Sequence, residues 1–264
     1  MAIAGKSIAR AARALGKVVP GWLKARVHAE ASSILNFVRF AANHVGSSEK
    51  VLDAGAGMCP YKPYFSHAIY ESTDFPDIFS KHAKDNHTFI CSLDNIPKPE
   101  REYDAILCTQ VLEHVEYPQK VISEFYRVLK PGGKLFLTAP QGWGIHGAPY
   151  HFFNFTQYGL RSLFENASFH VEFIKPRGGI FWYLGNRIRK LPPYLLTQYL
   201  FRKVNDRIVL KPSPMAIVVA ALYLLATPFC GLLFPLACYY LDRLDKARDY
   251  TLGYSCFCTK SAEA

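Results

Sequence analysis

KVLDAGAGMCPYKPY, residues 50–64, is the stretch that decides the fold. Its apolar opening leads through Asp53 to Gly55 and Gly57, the pattern of a buried strand that breaks into a tight turn before a helix. Glycine in such a turn can adopt a positive φ, and it lets the backbone come close to a ligand. A doubly wound α/β sheet binds its nucleotide at this kind of turn, so the stretch predicts that fold.

An acidic residue follows at the spacing that a nucleotide site requires. The run AIYESTD, residues 68–74, reads as a short strand that ends at Asp74, close to the roughly 20-residue spacing of dinucleotide folds. A carboxylate there can accept hydrogen bonds from both ribose hydroxyls of a nucleoside. Met58-Cys59-Pro60 stands where a dinucleotide motif has its third glycine, and no P-loop lysine-serine follows. Phosphate cradling is therefore not expected.

Four motifs follow one another along the chain. They are LDAGAG (residues 52–57), Asp74, YDAILCTQVLEHV (residues 103–115) and RVLKPGGKLFLTAP (residues 127–140). Together they resemble the class I S-adenosylmethionine-dependent methyltransferases, in the type 11-like subgroup that includes quinone and small-molecule methyltransferases. The resemblance covers about residues 48–175. It implies S-adenosylmethionine as the cofactor and a doubly wound, seven-stranded, mostly parallel sheet of the Rossmann-like methyltransferase fold.

The resemblance also implies which residues hold the first half of the cofactor. Asp53, Gly55 and Gly57 would line its methionine end, and Asp74 would hold the ribose. Cys59 stands in place of the usual third glycine, which affects the tightness of the turn but not its existence.

The other implied cofactor residues follow the third and fourth strands. Leu93 and Asp94, just after the third strand, would flank the adenine. Cys108, Thr109 and Gln110, at the end of the fourth strand, would lie beside the sulfonium.

Hydrophobic periodicity predicts the remaining elements of the sheet domain, residues 48–176 together with 250–264. Strands are expected at residues 87–92, 103–109, 134–140 and 170–176, and helices at 118–130 and 159–167, the second capped by Thr156. The resemblance implies a last strand that runs antiparallel beside the sixth, and residues 251–260 are the candidate for it. About 75 residues therefore separate two strands that a short hairpin usually joins. Residues 177–249 are interpreted as a basic and apolar helical insertion.

The first 47 residues are predicted to be helical. Residues 5–18 form a basic helix without the continuous apolar stretch of a secretory signal. This helix can be interpreted as a membrane-surface helix, an organelle transit peptide or a solvated capping helix. Residues 21–44 read as a second helix that leads into the sheet.

Charge and cysteine content narrow the functional class. The net charge is +10, and nine basic side chains between Lys175 and Lys211 face a single Asp206. Such basic segments bind nucleic acid or anionic lipid, and the neighbouring apolar run at residues 215–240 favours lipid here. The seven scattered cysteines read as reduced thiols of a cytosolic protein. Cys256 and Cys258 lack the second pair that a zinc site needs, so no metal site is predicted.

Residues 215–240 carry no charge over 26 positions, more than the roughly 18 needed to propose a transmembrane helix. A single crossing would place residues 251–260 on the far side of the bilayer, away from the sheet. Pro228, Gly231 and Pro235 divide the run into two short pieces. We therefore expect a helical hairpin that dips into one leaflet at the cytoplasmic face of a membrane, its basic flank (residues 187–211) and Tyr239-Tyr240 at the headgroups. The alternative is an apolar helix pair buried in a dimer interface.

Three histidines are the candidate catalytic residues, because imidazole can take a proton at neutral pH. His114 belongs to the EHV element after the fourth strand, where a structural role is equally expected. His146 and His151 lie in the aromatic-rich loop QGWGIHGAPYHFFNFT, residues 141–156, after the fifth strand. His146 is the first choice of base and His151 the second. The aromatic side chains predict either a packed lid or a pocket for an apolar or ring-bearing acceptor.

These patterns predict a membrane-associated methyltransferase that acts on a lipid, a quinone or a lipid-linked saccharide, with oxygen preferred as the methylated atom. An alternative of another class is a membrane-docked scaffold that keeps the fold without the chemistry. A nucleic-acid methyltransferase is disfavoured, because Cys108-Thr109-Gln110 stands where an Asn/Asp-Pro-Pro-aromatic element would be. No nucleic-acid partner is expected, and the sequence does not indicate an oligomeric state.

Overall fold

A computed structural model describes residues 20–75, 87–204, 207–210 and 214–262. The predicted basic helix at residues 5–18 lies outside the described residues. The chain divides into two compact units. The sheet unit consists of Ser33–Gly178 and Arg248–Ala264, and the helical unit consists of Met1–Ser32 and Gly179–Ala247.

The sheet unit contains a seven-stranded sheet, which confirms the predicted fold class. Nine strands are numbered in chain order, of which β7 and β8 belong to the helical unit: β1 (Lys50–Ala54), β2 (Ile69–Asp74), β3 (Phe89–Ile90), β4 (Tyr103–Thr109), β5 (Leu129–Pro140), β6 (Phe169–Pro176), β7 (Phe201–Val204), β8 (Arg207–Leu210) and β9 (Gly253–Lys260). The order in the sheet is β3-β2-β1-β4-β5-β9-β6. Only β9 runs antiparallel, between β5 and β6, as predicted for the last strand.

Among the described residues, α1 (Gly21–Val27) lies in the helical unit, and α2 (Ala29–Asn43) begins there and continues into the sheet unit. Two further helices, α3 (Pro118–Val128) and α4 (Gln157–Asn166), belong wholly to the sheet unit. The apolar spacing that predicted α3 is borne out, since its buried side chains lie on one face. Thr156 caps α4 as expected, accepting a hydrogen bond from the Gly159 amide at 3.1 Å.

Several predicted boundaries differ from the structure, among them the start of the fifth strand, which is Leu129 and not residue 134. The helix expected at residues 21–44 is interrupted at His28, whose ψ of 50° is not helical. The helix expected at residues 118–130 ends at Val128, because Leu129 already pairs with Tyr103 in the sheet. The third strand keeps two residues, Phe89–Ile90, which pair with the end of β2.

The two faces of the sheet carry separate apolar clusters. One face packs on α2 through aromatic side chains, with Phe136 and Phe257 stacked at a centroid distance of 4.9 Å. The other face packs on α3 and α4 and includes Cys256 and Cys258, both fully buried. All seven cysteines lie among the described residues and are free thiols.

The helical unit contains a long helical hairpin. Its outgoing arm is α5 (Ile180–Leu200), followed by β7 and β8, which pair as a small antiparallel ribbon. Its returning arm is α6 (Pro214–Pro228), a π-helical turn (Phe229–Leu233), α7 (Phe234–Leu241) and a 3₁₀ turn (Asp242–Leu244). The arms pack side by side along their length.

The expectation of two short pieces within residues 215–240 is wrong. Pro228, Leu233 and Phe234 all keep right-handed helical backbone angles, so the returning arm is continuous. A π-helical turn, Phe229–Leu233, lies between Pro228 and Pro235, the two prolines that each remove a backbone N–H from the helix. The hairpin is formed instead by α5 and the whole returning arm. Among the described residues, Ile217–Leu244 is long and apolar enough to cross a bilayer, with a mean hydropathy of 2.3.

Candidate active site

The turn after β1 lies against the end of β2. The amides of Gly55 and Ala56 donate to the Thr73 carbonyl at 2.9 and 3.0 Å. The Gly57 amide donates to Asp74 Oδ2 at 2.7 Å. The glycine turn and the acidic residue, separated in sequence, thus form one hydrogen-bonded edge of the sheet.

Gly55 and Gly57 both have a positive φ, of +80° and +56°, but for different reasons. A Cβ on Gly55 would come within 2.8 Å of Val111 Cγ1 and closer still to Cγ2. A Cβ on Gly57 would meet no atom within 4 Å. Gly55 is therefore required by packing against the segment after β4, whereas Gly57 faces open space that a ligand can approach.

Asp53 is a buried carboxyl at the end of β1. Its Oδ2 accepts a hydrogen bond from the Tyr70 hydroxyl at 2.6 Å, and its Oδ1 has no partner among the described residues. Burial raises the pKa of Asp53 to about 7, the negative charge of Asp74 adds to the rise, and the Tyr70 hydrogen bond opposes it. A buried carboxylate oxygen without a donor fits a ligand that brings one.

The residues at the end of β4 differ in exposure. Cys108 is wholly buried in the apolar core, and burial holds the pKa of its thiol well above the usual range. Thr109 is half-buried. Gln110 has a φ of +56° and is tied to β5 through Thr138, by its amide N–H to the carbonyl at 2.9 Å and by Nε2 to Oγ1 at 3.1 Å. The resemblance places Cys108 beside the sulfonium, but its side chain lies in the apolar core.

Leu93 and Asp94, the two residues after β3 that are implied to flank the adenine, also differ in exposure. Leu93 is buried in the same core, whereas Asp94 is exposed and accepts a hydrogen bond from the Ser92 hydroxyl. Asp94 borders a surface hollow with Gln119 and Lys120 of α3. The Asp94 side chain is therefore accessible to a ligand at this edge of the sheet.

The three candidate histidines come together. His114 lies in a 3₁₀ turn after β4 (Leu112–His114), and His146 and His151 lie in the loop after β5. The ring centroids are 4.7 Å apart for His114 and His146, 4.4 Å for His146 and His151, and 5.8 Å for His114 and His151. The two loops are joined by the Phe152 amide, which donates to the Glu113 carbonyl at 2.9 Å.

Hydrogen bonds determine the tautomers of these histidines. Nδ1 of His114 donates to the Tyr150 carbonyl, and Nδ1 of His146 donates to the Gly144 carbonyl at 3.0 Å. The lone pair of each neutral ring is then on Nε2. His151 is the opposite case, because its Nδ1 accepts the His146 amide N–H at 3.3 Å and its proton is on Nε2. His114 and His146 can accept a proton at Nε2, whereas His151 is arranged as a donor.

Two buried residues at this edge were not predicted as site residues. Glu113 is wholly buried, and neither carboxylate oxygen has a hydrogen-bond partner among the described residues. Burial raises its pKa to about 7, against the effects of its backbone amide and the Arg177 charge. Arg177, just after β6, is buried too. The EHV element contains Glu113 and was a usable signal, whereas no motif marks Arg177.

A family profile described as a methyltransferase domain matches residues 52–137, the segment from β1 into β5. This segment contains the glycine turn, Asp74 and the EHV element. Residues 52–137 therefore form a methyltransferase domain of the S-adenosylmethionine-dependent kind.

The chain is similar to proteins of known name over part of its length. It is 35% identical over 81 residues to the ubiquinone biosynthesis O-methyltransferase of Dechloromonas aromatica, covering 28% of this chain and 32% of that protein. It is 36% identical over 80 residues to the namesake in Xanthomonas oryzae, covering 28% and 30%. The chain thus spans about a third of the length of the curated relatives it matches.

The fold is shared with a solved structure assigned as a sarcosine dimethylglycine methyltransferase from Galdieria sulphuraria. The TM-score is 0.53 at 18% identity, covering 88% of this chain and 86% of that one. At this identity the comparison shows the methyltransferase fold alone.

S-adenosylmethionine is the cofactor of this domain family, and the glycine turn after β1 fits it. The cofactor carries an ammonium and a sulfonium, and Asp53 offers a buried carboxylate oxygen without a donor. Gly57 leaves room for close approach, and Asp74 is a hydroxyl acceptor beside it. These three residues would hold the cofactor, which supplies an activated methyl group.

We expect cofactor affinity to rise between about pH 6 and pH 8, by up to about tenfold, because Asp53 ionises near pH 7 and its charge attracts the cation. In the ligand-free protein the sign is reversed. Since the folded-state pKa lies above the ordinary value of 3.8, Asp53 lowers the free energy of unfolding as pH rises from about 4 to 7. Calorimetric titration across this range measures the first effect. Asp53→Asn should flatten the profile, and an unchanged profile in that variant would assign the effect to other groups.

Proposed function

We propose that this protein transfers the methyl group of S-adenosylmethionine to an oxygen atom of a lipid, a quinone or a lipid-linked saccharide at the cytoplasmic face of a membrane. The observation that carries the proposal is an apolar helix, Ile217–Leu244, whose most apolar stretch is not buried, in a chain that also has a methyltransferase fold. The partial similarity to ubiquinone biosynthesis O-methyltransferases supports oxygen as the methylated atom and a ring-bearing lipid as the acceptor.

The chemistry is an in-line displacement at the methyl carbon. The acceptor hydroxyl gives up its proton, the oxygen forms a bond to the methyl carbon, and the carbon–sulfur bond breaks as S-adenosylhomocysteine leaves. The protein has to align the two reactants and manage the proton. The histidine cluster of His114, His146 and His151 follows β4 and β5, whose carboxyl ends border the acceptor position in such sheets. We assign proton removal to His114 and His146, which have Nε2 lone pairs.

Exposed aromatic side chains favour an apolar acceptor. Tyr150, Phe152 and Phe153 of the loop after β5 all remain exposed beside the histidines. Large apolar side chains grouped on a surface mark a binding site for apolar groups. A ring or a polyisoprenoid chain would cover them.

The returning arm of the hairpin exposes apolar side chains that a soluble protein would normally bury. A helix that is apolar all round is normally buried in a core or a membrane, yet none of the most apolar stretch of Ile217–Leu244 is buried. Leu224 and Leu225 are 71% and 78% exposed. We propose that lipid hydrocarbon covers this arm.

Chain connectivity favours insertion from one side. The Arg177 amide, at the start of the insertion, donates to the carbonyl of Gly253, the first residue of β9, at 2.7 Å. The chain therefore leaves and re-enters the sheet unit at the same place. Both ends must then lie on the same side of any membrane, which is incompatible with a single crossing. A helical hairpin that enters and returns satisfies this condition.

Positive charge in the helical unit favours anionic lipid over a second copy of the chain. Arg187, Arg189 and Lys190 of α5 lie around Glu30, with Lys190 Nζ 3.6 Å from Glu30 Oε2. Burial lowers the pKa of Lys190 to about 8, and the two guanidinium charges add to the decrease despite Glu30. Anionic headgroups would relieve this excess of positive charge.

Flotation tests the membrane proposal. We expect the full chain to float with phosphatidylcholine–phosphatidylglycerol vesicles. Leu224→Glu/Leu225→Glu should bind them at least about tenfold more weakly, because two exposed leucines that lipid would bury are lost, with their transfer energy. Tyr158→Glu, also at an exposed apolar residue but in the sheet unit, is the matched control and should float normally. If the wild type stays at the bottom and sediments as a dimer, a second copy covers the arm and the proposal fails.

Methyl transfer itself is tested with methyl-labelled S-adenosylmethionine and a total extract of the source cells, followed by separation of organic, aqueous and protein phases. Label in the organic phase is the expected result. Label in the aqueous or protein phase would keep the enzyme and refute the lipid acceptor. Intact cofactor binding without label in any phase would favour the non-catalytic scaffold.

A further inference from the structure

Glu113, His114 and His146 bring three metal-ligating groups together at the proposed acceptor position. One carboxylate oxygen and one ring nitrogen from each histidine all lie within 4.8 Å of one another. Ligands bound to one ion at 2.0–2.2 Å stand about 3–3.5 Å apart, so the loops would have to close by about an ångström. Binding an ion would therefore require side-chain rotation or a small shift of the loop after β5.

The two imidazoles are already held as metal-binding histidines are. A ligating histidine usually donates its other ring N–H to a carbonyl or carboxylate, which fixes the tautomer and the ring orientation. Nδ1 of His114 donates to the Tyr150 carbonyl, and Nδ1 of His146 donates to the Gly144 carbonyl. In both rings the electron pair on Nε2 is therefore the one presented to a ligand.

Glu113 supplies an independent observation. Its side chain is wholly buried, and neither carboxylate oxygen has a hydrogen-bond partner among the described residues. A buried carboxylate requires hydrogen bonds, a paired cation or a metal ion. Arg177 contributes charge at this edge, but no hydrogen bond connects it to the Glu113 carboxylate. A cation bound between Glu113 and the histidines would supply the missing partner.

We propose that Glu113, His114 and His146 bind a divalent transition-metal ion, of the kind represented by Zn²⁺, Mn²⁺ or Fe²⁺. Two imidazoles and one carboxylate suit these ions better than Mg²⁺ or Ca²⁺, which prefer sets of oxygen ligands. Three protein ligands leave open positions, as catalytic metal sites do. His151 is not a ligand, because its Nδ1 accepts the His146 amide and its Nε2 carries the proton.

The role of this ion rests on the proposed function, whereas its binding does not. An acceptor hydroxyl coordinated at an open position loses its proton to solvent at a lower pH than in water. The oxygen then bonds to the methyl carbon, and the carbon–sulfur bond breaks. With the ion bound, the Nε2 lone pairs of His114 and His146 would coordinate the metal, and the acceptor proton would pass to solvent; without the ion, the same lone pairs can take the proton directly.

The test is Zn²⁺ binding to the untagged full chain. Binding is measured by calorimetry and by metal analysis after dialysis. We expect a single equivalent in the wild type. Glu113→Gln and His146→Gln should each weaken binding by at least about 100-fold, since even outer-sphere changes cost 10- to 100-fold. His170→Gln, at an exposed histidine of β6, is the control for surface binding and should behave as the wild type. His151→Gln should retain the ion within about tenfold.

Two results would overturn the metal proposal: a wild type that retains no Zn²⁺, or retention by both Glu113→Gln and His146→Gln equal to that of the wild type. Affinity for S-adenosylmethionine, measured on each variant, verifies that the fold is intact. The failures remain distinguishable. Transfer of label to an organic-phase acceptor without a bound ion would refute the metal site alone, and a bound ion without any transfer would refute the proposed function alone.

Discussion

Replacing Gly55 by alanine is expected to destabilise the sheet unit by about 2–5 kcal/mol. An alanine at a φ of +80° costs about 1–2 kcal/mol, and its Cβ would overlap both methyl groups of Val111, which adds about 1–3 kcal/mol of overpacking. Val111 follows β4 directly, so relief of the overlap would displace the segment that leads to Glu113 and His114. The midpoint of thermal unfolding, followed by circular dichroism, measures the loss.

Gly57→Ala is the informative comparison. Its φ of +56° is also positive, but its Cβ would meet no protein atom within 4 Å. We expect a loss of about 1–2 kcal/mol from the backbone alone, together with weaker cofactor binding because the Cβ occupies the ligand's approach. Adding Val111→Ala should restore part of the stability of Gly55→Ala and none of that of Gly57→Ala. Equal stabilities of the two alanine variants would contradict the packing assignment of Gly55.

Replacing Asp74 by alanine is expected to weaken S-adenosylmethionine binding by about 100- to 10,000-fold. Two hydrogen bonds from ribose hydroxyls to a carboxylate are worth about 1.5–3 kcal/mol each, and each 1.4 kcal/mol is a factor of ten. The variant also removes the acceptor of the Gly57 amide, which holds the turn at 2.7 Å, and that of the Phe75 amide. Isothermal titration calorimetry with S-adenosylmethionine measures the change.

Two variants separate the ligand effect from the effect on the turn. Asp74→Asn keeps an acceptor for the Gly57 amide but loses the negative charge, and we expect about a tenfold loss of affinity. Glu165→Ala removes an exposed carboxylate of α4 and should leave the affinity unchanged. Wild-type affinity in Asp74→Ala would remove Asp74 from the ribose site.

The family and the topology follow from local patterns. The Gly55 and Gly57 turn, the apolar spacing of α3 and the run that becomes β9 are each determined by neighbours within a few turns or one strand. These patterns could therefore be recognised from the sequence. Element boundaries were harder to predict, because Leu129 belongs to β5 through its pairing with Tyr103, a partner 26 positions away.

The same limit applies to the site. The sequence marked His114, His146 and His151 as candidates but not their roles, because each role depends on which ring nitrogen a distant backbone group engages. Glu113 was visible in a motif, yet its lack of a hydrogen-bond partner emerges only when the loops after β4 and β5 enclose it.

Amino-acid order alone determined the strand sequence, the glycine turn, the acidic residue beyond it and an uncharged run too long for a loop. These are properties of residues near one another in the chain, where spacing governs hydrogen bonding and hydrophobic periodicity. Only the tertiary structure decided that the run returns as one continuous arm beside α5, that Gly55 packs on Val111, and that Asp53 is buried with a pKa near 7. The reason is physical, since desolvation and contacts between distant segments exist only after the chain has folded.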